Sequence, residues 1–367
     1  MADLDLKFAL MLSLIDGIGP AKYSKLIKQF RNYDEFLANS VPDIFYECGL
    51  NDKQITRMIK FDHWQAVDDI IKKAAELNVA IKCLGQSDYP EDLENIYSPP
   101  TVMFIKGNLQ ALSQPAVAIV GSRTPTDYGR EMTRKITSEL AARGLLIISG
   151  LATGIDAEAH RAALNAGGAT AAIFGSGLDI IYPSSHRDLA GKILEKGFWL
   201  SEFQFGTIPE KFNFPRRNRL ISGLSRAVVV VEAASKSGAL VTAQLAADQG
   251  KDVFAVPGRA DSPRSEGTLD LLKQGAAVAT SAGDILEALG WGDARKPRLT
   301  DVTPSPIKIT LEPDEQKVCD MVGKGQTHFD ELVRDLGLPS AKISAILLKL
   351  ELAGLIMRRP GNYIART

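Results

Sequence analysis

The stretch Leu145-Leu146-Ile147-Ile148-Ser149-Gly150-Leu151-Ala152-Thr153-Gly154-Ile155-Asp156 decides how this chain is built. A short apolar run ending in a Ser-Gly turn reads as a strand buried on both faces, as in a parallel sheet. A helical stretch, Ala157–Asn165, follows it. The same strand, turn and helix order recurs on either side. Val117–Val120 runs into Gly121-Ser122-Arg123 and then the helical stretch Arg130–Ala142. Thr170–Phe174 runs into Gly175-Ser176-Gly177. Ala227–Val231 ends at Glu232, and Ser237-Gly238-Ala239 then opens the helical stretch Leu240–Gln249. Val253–Val256 meets Pro257-Gly258, and Ala276–Ala279 is a further strand. Alternation of this kind predicts an α/β fold, a parallel sheet with helices on both faces.

In such a sheet the turns after the strands share one edge, and ligands bind where the strand order reverses. Glycine lets a backbone approach a ligand closely. Free N–H groups of turns and helix N-termini favour anions. One glycine alone serves a tight turn; several on one edge point to a site. The candidate residues there are Gly121, Ser122, Arg123, Gly150, Gly175, Ser176, Ser237 and Gly238. Neither Gly-x-Gly-x-x-Gly after the first strand nor Gly-x-x-x-x-Gly-Lys-Ser/Thr occurs, so nothing argues for a dinucleotide or a P-loop nucleotide, and no cofactor is expected. Arg123 instead brings a forked guanidinium suited to phosphate.

A second signal is Lys211-Phe212-Asn213-Phe214-Pro215-Arg216-Arg217-Asn218-Arg219. Residues 210–226 hold five cations (Lys211, Arg216, Arg217, Arg219, Arg226) and one acid, Glu210. Cations for a backbone and rings for bases suit single-stranded nucleic acid. The same window also reads as a solvated charge cluster beside two core phenylalanines. This local excess matters because the whole chain of 367 residues has a net charge of −1. That total excludes a polycationic coat, not a basic pocket. With 45% hydrophobic and 24% charged residues, the composition is that of a globular protein rather than a disordered one.

Catalytic and metal signals are thin, and neither a catalytic residue nor a metal ligand is assigned. Asp156 and His160 stand four apart on one helix face with Glu158 nearby, but the spaced-histidine zinc motifs are missing. Asp156 is expected to support its loop or cap its helix, and His160 to pack. His186 falls in a loop near the sheet edge. Cys48, Cys83 and Cys319 are scattered, which suits reduced thiols and a cytoplasmic location. No apolar run approaches a membrane span, and the acidic N-terminus is unlike a signal peptide.

Four segments are expected: a helical domain at 1–110, the sheet domain at 111–290, a linker at 291–311 with Pro297, Pro304 and Pro306, and a small domain at 312–367. In the first, Ile15-Asp16-Gly17-Ile18-Gly19-Pro20 reads as a helix–hairpin–helix turn. In the last, helical stretches at Asp314–Val322, Phe329–Leu336 and Ser340–Ala353 precede a wing around Pro360-Gly361-Asn362, with Thr327 and Pro339-Ser340 as helix starts. This is the winged-helix pattern. Its eight cations and eight acids balance, and Ser340–Ala353 carries only Lys342 and Lys349, poor for a major groove.

The ordered set Gly121-Ser122-Arg123, Ser149-Gly150-Leu151-Ala152-x-Gly154-Ile155-Asp156, Gly175-x-Gly177-Leu178-Asp179-x-x-Tyr182-Pro183, Ser201-Glu202, Phe214-Pro215-x-Arg217-Asn218-Arg219, Ser237-Gly238-Ala239 and Ala255-Val256-Pro257-Gly258 resembles the DNA-processing protein A (DprA/Smf) family. The resemblance covers 115–280. Its flanks are similar to the sterile-alpha-motif-like and winged-helix domains of longer members. It implies a Rossmann-like core and a non-enzymatic protein that binds and protects single-stranded DNA in natural transformation and homologous recombination. It further implies a homodimer that helps load the RecA recombinase against single-strand-binding protein. Carried over, the DNA pocket uses Gly121, Ser122, Arg123, Arg217, Asn218 and Arg219, with Arg216 in the variable slot. Reversing charge at Arg123 and Arg219 together is then expected to abolish binding and leave the fold intact. Where some relatives place a lysine, this chain has Ser184-Ser185-His186-Arg187. The alternative is a nucleotide-processing enzyme of the lysine-decarboxylase-like phosphoribohydrolase type. The Pro-Gly-Gly-x-Gly-Thr-x-x-Glu motif of those enzymes is missing; the corresponding region reads Glu232-Ala233-Ala234-Ser235-Lys236-Ser237-Gly238.

Overall fold

Ahead of the sheet the described residues form six helices: α1 (Leu6–Leu14), α2 (Pro20–Gln29), α3 (Tyr33–Ala38), α4 (Pro42–Glu47), α5 (Asp52–Ile59) and α6 (Trp64–Glu76). Local chemistry sets their starts. Asp5 accepts from the Phe8 N–H and Asn32 from the Glu35 N–H, while Asn51 and Gln54 form a reciprocal cap on α5. Pro20 and Pro42 stand in first turns, where a missing N–H costs nothing. The computed structural model describes residues 3–39, 41–291, 312–322, 326–352, 356–359 and 361–366. It divides into two compact units, Met1–Asp293 and Ala294–Thr367. Of the expected linker, residues 292–311 lie outside the described residues.

The chain then reads β1 (Ala80–Cys83), α7 (Glu91–Glu94), β2 (Val102–Gly107), β3 (Ala116–Val120), α8 (Asp127–Ala142), β4 (Leu146–Ser149), α9 (Ile155–Asn165), β5 (Thr170–Ile173), α10 (Arg187–Ile193) and β6 (Phe198–Ser201). After these come α11 (Asn213–Gly223), β7 (Ala227–Val230), α12 (Gly238–Asp248), β8 (Asp252–Ala255), α13 (Glu266–Lys273), β9 (Ala277–Val278) and α14 (Ala282–Ala288). The nine strands form one sheet in the order β1-β2-β6-β5-β4-β3-β7-β8-β9. All pairings from β6 to β9 are parallel; β1 with β2 and β2 with β6 are antiparallel.

Here the structure departs from the sequence reading. Residues 80–107, placed there in the helical segment, supply two strands of the sheet, and β6 was not anticipated at all. Runs of four to six residues carry no period of their own, and only the pairing of β1 with β2 and of β2 with β6 distinguishes them from pieces of helix. The N-terminal helices share one apolar core with the sheet, running from Phe8 and Phe36 to Phe104, Ile148 and Leu200.

Side chains of β3 alternate between two cores, as the period of two requires. Val117 and Ile119 pack with Ile136 and Leu140 of α8, Ala159 of α9 and Ile285 of α14. Ala118 and Val120 pack with Leu220 and Ile221 of α11 and Ala243 of α12. No helix among the described residues is long and apolar enough to cross a membrane. Cys48, Cys83 and Cys319 are buried and free, and burial pushes the Cys83 thiol up to about 12.

The second unit holds α15 (Pro313–Met321), β10 (Gln326–His328), α16 (Phe329–Leu336), α17 (Ser340–Leu352), β11 (Ile356–Arg359) and β12 (Tyr363–Arg366). Its sheet has the order β10-β12-β11, which makes the expected wing with one extra strand. The cap of α16 is His328 with Glu331, not Thr327, whose hydroxyl donates to the Met321 carbonyl at 3.3 Å.

Candidate nucleic-acid interface

Strands β3 and β7 are neighbours, with β4, β5 and β6 running out on one side and β8 and β9 on the other. The connections leaving β3 and β7 diverge there and open a crevice at the carboxyl edge of the sheet. Glu232, just past β7, holds the β3–α8 loop: its carboxylate accepts from the Thr126 N–H at 3.0 Å and the Thr126 hydroxyl at 2.9 Å. Gly154 has φ +82° and lies against the Ser122 carbonyl, a position closed to a Cβ. The Ile155 N–H donates to that carbonyl at 3.0 Å, so the β4–α9 loop is pinned onto the Gly121-Ser122-Arg123 turn. Asp156 accepts from the Gly150 and Ala152 N–H groups at 3.2 and 3.3 Å, the loop support expected of it.

The basic segment is a helix, α11, and its cations have different fates. Arg217 is 5% exposed. Its Nη1 donates to the Gly150 carbonyl at 2.7 Å and to the Ile173 carbonyl, and its Nε donates to Asn218 Oδ1 at 3.1 Å. The guanidinium thus laces the ends of β4 and β5 together. It fits only because residue 150 has no Cβ, which would collide with it. Burial lowers the Arg217 pKa to about 10, with Asp156 opposing that fall. Asn218 is buried too, and its amide reaches the Gly238 carbonyl at 3.4 Å. Arg219 is engaged with the Glu202 carboxylate, which Arg216 also approaches at 3.8 Å.

A cavity of about 720 Å³ opens over this brace. It gathers Gly121 and Arg123 from the first turn, Lys211, Arg217 and Asn218 from the basic segment, and Ser237 and Gly238 from the start of α12. Arg123 and Lys211 are exposed, and among the described residues no carboxylate pairs with either. Phe214 forms a ring wall with the Arg123 guanidinium 5.6 Å from its centroid and the Tyr182 ring at 5.9 Å.

The remaining candidates lie elsewhere. Gly150, Gly175 and Ser176 line a smaller hollow that shares Tyr182 and Phe214 with the cavity. The Ser176 hydroxyl is spent on the Ile180 carbonyl at 2.8 Å, and Ser122 Oγ accepts from the Thr124 N–H at 3.1 Å within its own turn. Arg216 and Arg219 face a different cavity. His160 is buried, bonded to Thr170 Oγ1 at 2.7 Å, and burial lowers its pKa to about 3. His186 is buried against the Leu151 carbonyl at 2.9 Å rather than free at the edge. Tyr182 is the residue that sequence reasoning passed over: it entered only as part of a motif, although an exposed tyrosine before a proline in a loop is a binding signal. Among the described residues no cluster of His, Cys, Asp and Glu could hold a metal.

Fold and site together define a Rossmann-like protein with a cation- and ring-lined cavity, suited to a phosphorylated ligand, at the switch point of its sheet. Family models agree with that class: residues 80–290 match DNA recombination-mediator protein A, and residues 302–362 match the DprA winged helix domain. The chain belongs to the DprA/Smf family of DNA-processing proteins. It is 36% identical to Protein Smf of Synechocystis sp. over 401 residues, covering 100% of both chains. It is 39% identical to Protein Smf of Escherichia coli, covering 88% of this chain and 86% of that one. The crystallographic structure of DprA from Streptococcus pneumoniae superimposes with a TM-score of 0.68 at 35% identity, covering 78% of this chain and 98% of that one. DNA processing protein A from Helicobacter pylori, whose structure was described for its single-stranded DNA binding mode, gives 0.53 at 31% identity, covering 59% and 97%.

Proposed function

We propose that this chain binds single-stranded DNA in the switch-point cavity. One observation carries the reading: Arg123 and Lys211 stand exposed, with no carboxylate paired to them among the described residues, beside the Phe214 and Tyr182 rings and the start of α12. The two cations and the α12 N–H groups take phosphates, and the rings take base faces without strong sequence preference. Arg217 and Asn218 act from beneath, holding the strand ends in register. The family and the Helicobacter pylori relative support this ligand. In keeping with family membership, the bound strand is protected as a homodimer and handed to a RecA-type recombinase in the presence of single-strand-binding protein, during transformation or homologous recombination. Nucleotide cleavage is disfavoured because the Glu232 carboxylate is occupied by Thr126. Release of free base from nucleoside monophosphates would revive that alternative.

The test is a salt-dependent anisotropy titration of single- and double-stranded oligonucleotides of equal length. Single strands are expected to bind more tightly, with affinity falling as salt rises. A preference for duplex overturns the reading. So does unchanged binding by a folded Arg123→Glu variant.

A further inference from the structure

The loop between β3 and α8 carries Arg123, and it is tied down on both sides of that residue. Before it, the Ser122 carbonyl accepts from the Ile155 N–H at 3.0 Å. After it, the Thr126 N–H and hydroxyl converge on one carboxylate oxygen of Glu232, at 3.0 and 2.9 Å. Between these anchors Arg123 is exposed, and its guanidinium lies 5.6 Å from the Phe214 ring centroid on the cavity wall.

The Glu232 anchor stands on the sheet itself. The pairing of β3 with β7 runs up to it, since the Val231 N–H donates to the Val120 carbonyl at 3.1 Å. Glu232 is 5% exposed and does not line the switch-point cavity. The Thr126 hydroxyl that donates to it also accepts from the Gly129 N–H at 3.1 Å, which caps α8. Residue 129 is a glycine whose Cβ, if present, would collide with the carboxylate. A buried carboxylate beside the first turn of a helix is favoured by the helix dipole. The chain from Gly129 through Thr126 to Glu232 therefore fixes the far end of the Arg123 loop to the end of β7.

A loop ordered at folding does not have to be ordered again when a ligand arrives, which strengthens binding without a new contact.

We propose that Glu232 is a positioning residue for the single strand. Through Thr126 it holds the loop so that Arg123 meets a phosphate in the cavity. The inference rests on the single-strand reading above and adds a residue that touches no ligand and yet sets affinity. Its sign differs from that of plain electrostatics. Removing an acid near a phosphate site relieves repulsion and tightens binding, whereas losing the anchor weakens it.

The experiment titrates a single-stranded oligonucleotide of about 20 nucleotides with the full chain by anisotropy, over a range of salt. Glu232→Ala is expected to weaken binding at least about fivefold and to lower the slope of log affinity against log salt by about 0.7, the loss of one phosphate contact. In an Arg123→Ala background the same change is expected to cost less than about twofold, because the residue it positions is gone. Thr126→Ala should follow Glu232→Ala, and Thr126→Ser, which keeps both hydrogen bonds, should recover most of the loss. Tyr128→Phe removes a different tie of α8, the hydroxyl donating to the Pro257 carbonyl at 2.8 Å, and should change affinity less than about twofold. Unchanged or tighter binding by folded Glu232→Ala overturns the positioning role. So does an equal loss in the Arg123→Ala background, or an equal loss from Tyr128→Phe, which would assign the effect to α8 as a whole. Should Glu232→Ala fail to fold, Thr126→Ala and Thr126→Ser decide by the same comparison. If Arg123→Ala alone leaves binding unchanged, this inference and the single-strand reading fall together. If it weakens binding and neither Glu232→Ala nor Thr126→Ala does, only the positioning role falls.

Discussion

Helix α17 and the edge of the large sheet both present cations, and the cations do not have the same freedom. On α17, Lys342 Nζ lies 2.6 Å from Asp314 and Lys349 Nζ 2.5 Å from Glu315, so both cations of the helix are neutralised by α15. At the sheet edge, Arg123 and Lys211 have no such partners among the described residues, while Arg217 and Arg219 of the same basic region are consumed by the fold. Counting cations in a window therefore says little about which of them meet a ligand. What matters is whether a carboxylate or carbonyl has already claimed them. This also corrects the paired charge reversal expected from sequence: Arg219→Glu would face Glu202 and disturb the fold, so it cannot report on binding alone.

The contrast can be broken most forcefully at Arg217. Arg217→Met removes the brace and leaves Asp156 buried without its cation, and should cost about 3–5 kcal/mol of unfolding free energy in urea. A loss below about 1 kcal/mol would show that the strand ends hold without it. Next in size, Arg123→Glu should weaken single-strand binding at least about tenfold while thermal stability stays close to that of the wild type. A large fall in melting temperature would place Arg123 with the consumed arginines instead.

His160 tests how dry the layer under the site is. In the unfolded chain it takes up a proton near pH 6.5, but in the folded protein only near pH 3. The unfolded chain therefore binds more protons across that window, and stability falls as pH drops through it. The slope is at most about 1.4 kcal/mol per pH unit. His160→Gln should flatten it in urea titrations between pH 6.5 and 4; identical slopes would mean the imidazole is hydrated. Burial raises the Asp156 pKa and gives a slope of opposite sign, which is common to both proteins and cancels in the difference.

Lys211→Ala should reduce the slope of log affinity against log salt by about 0.7, the share of one phosphate contact on a single strand. The smallest effect is expected on the other side of the comparison. Lys342→Ala with Lys349→Ala should change single-strand affinity less than about twofold, because those charges are already paired. A tenfold loss would move the winged helix into the binding surface.

Much of this was legible in the sequence because it is local. The Gly121-Ser122-Arg123 turn, the Ser237 cap of α12 and the three helices and wing of the small unit depend on neighbours a few residues away. Strands at 80–107 and 198–201 were not legible, since runs so short become strands only by pairing with one another. The roles within the basic segment were hidden for the same reason. Arg217 is claimed by carbonyls 67 and 44 residues distant, and Arg219 by a carboxylate 17 residues away.

By itself the sequence determined the class of fold, the family, and which turns meet at one edge of the sheet, because turn chemistry and strand–helix alternation are written in consecutive residues. Tertiary structure alone decided which arginines are spent inside the fold and which stand exposed at the candidate site. A guanidinium is free or spent according to the acceptors that the folded chain brings to it, and those arrive from distant strands.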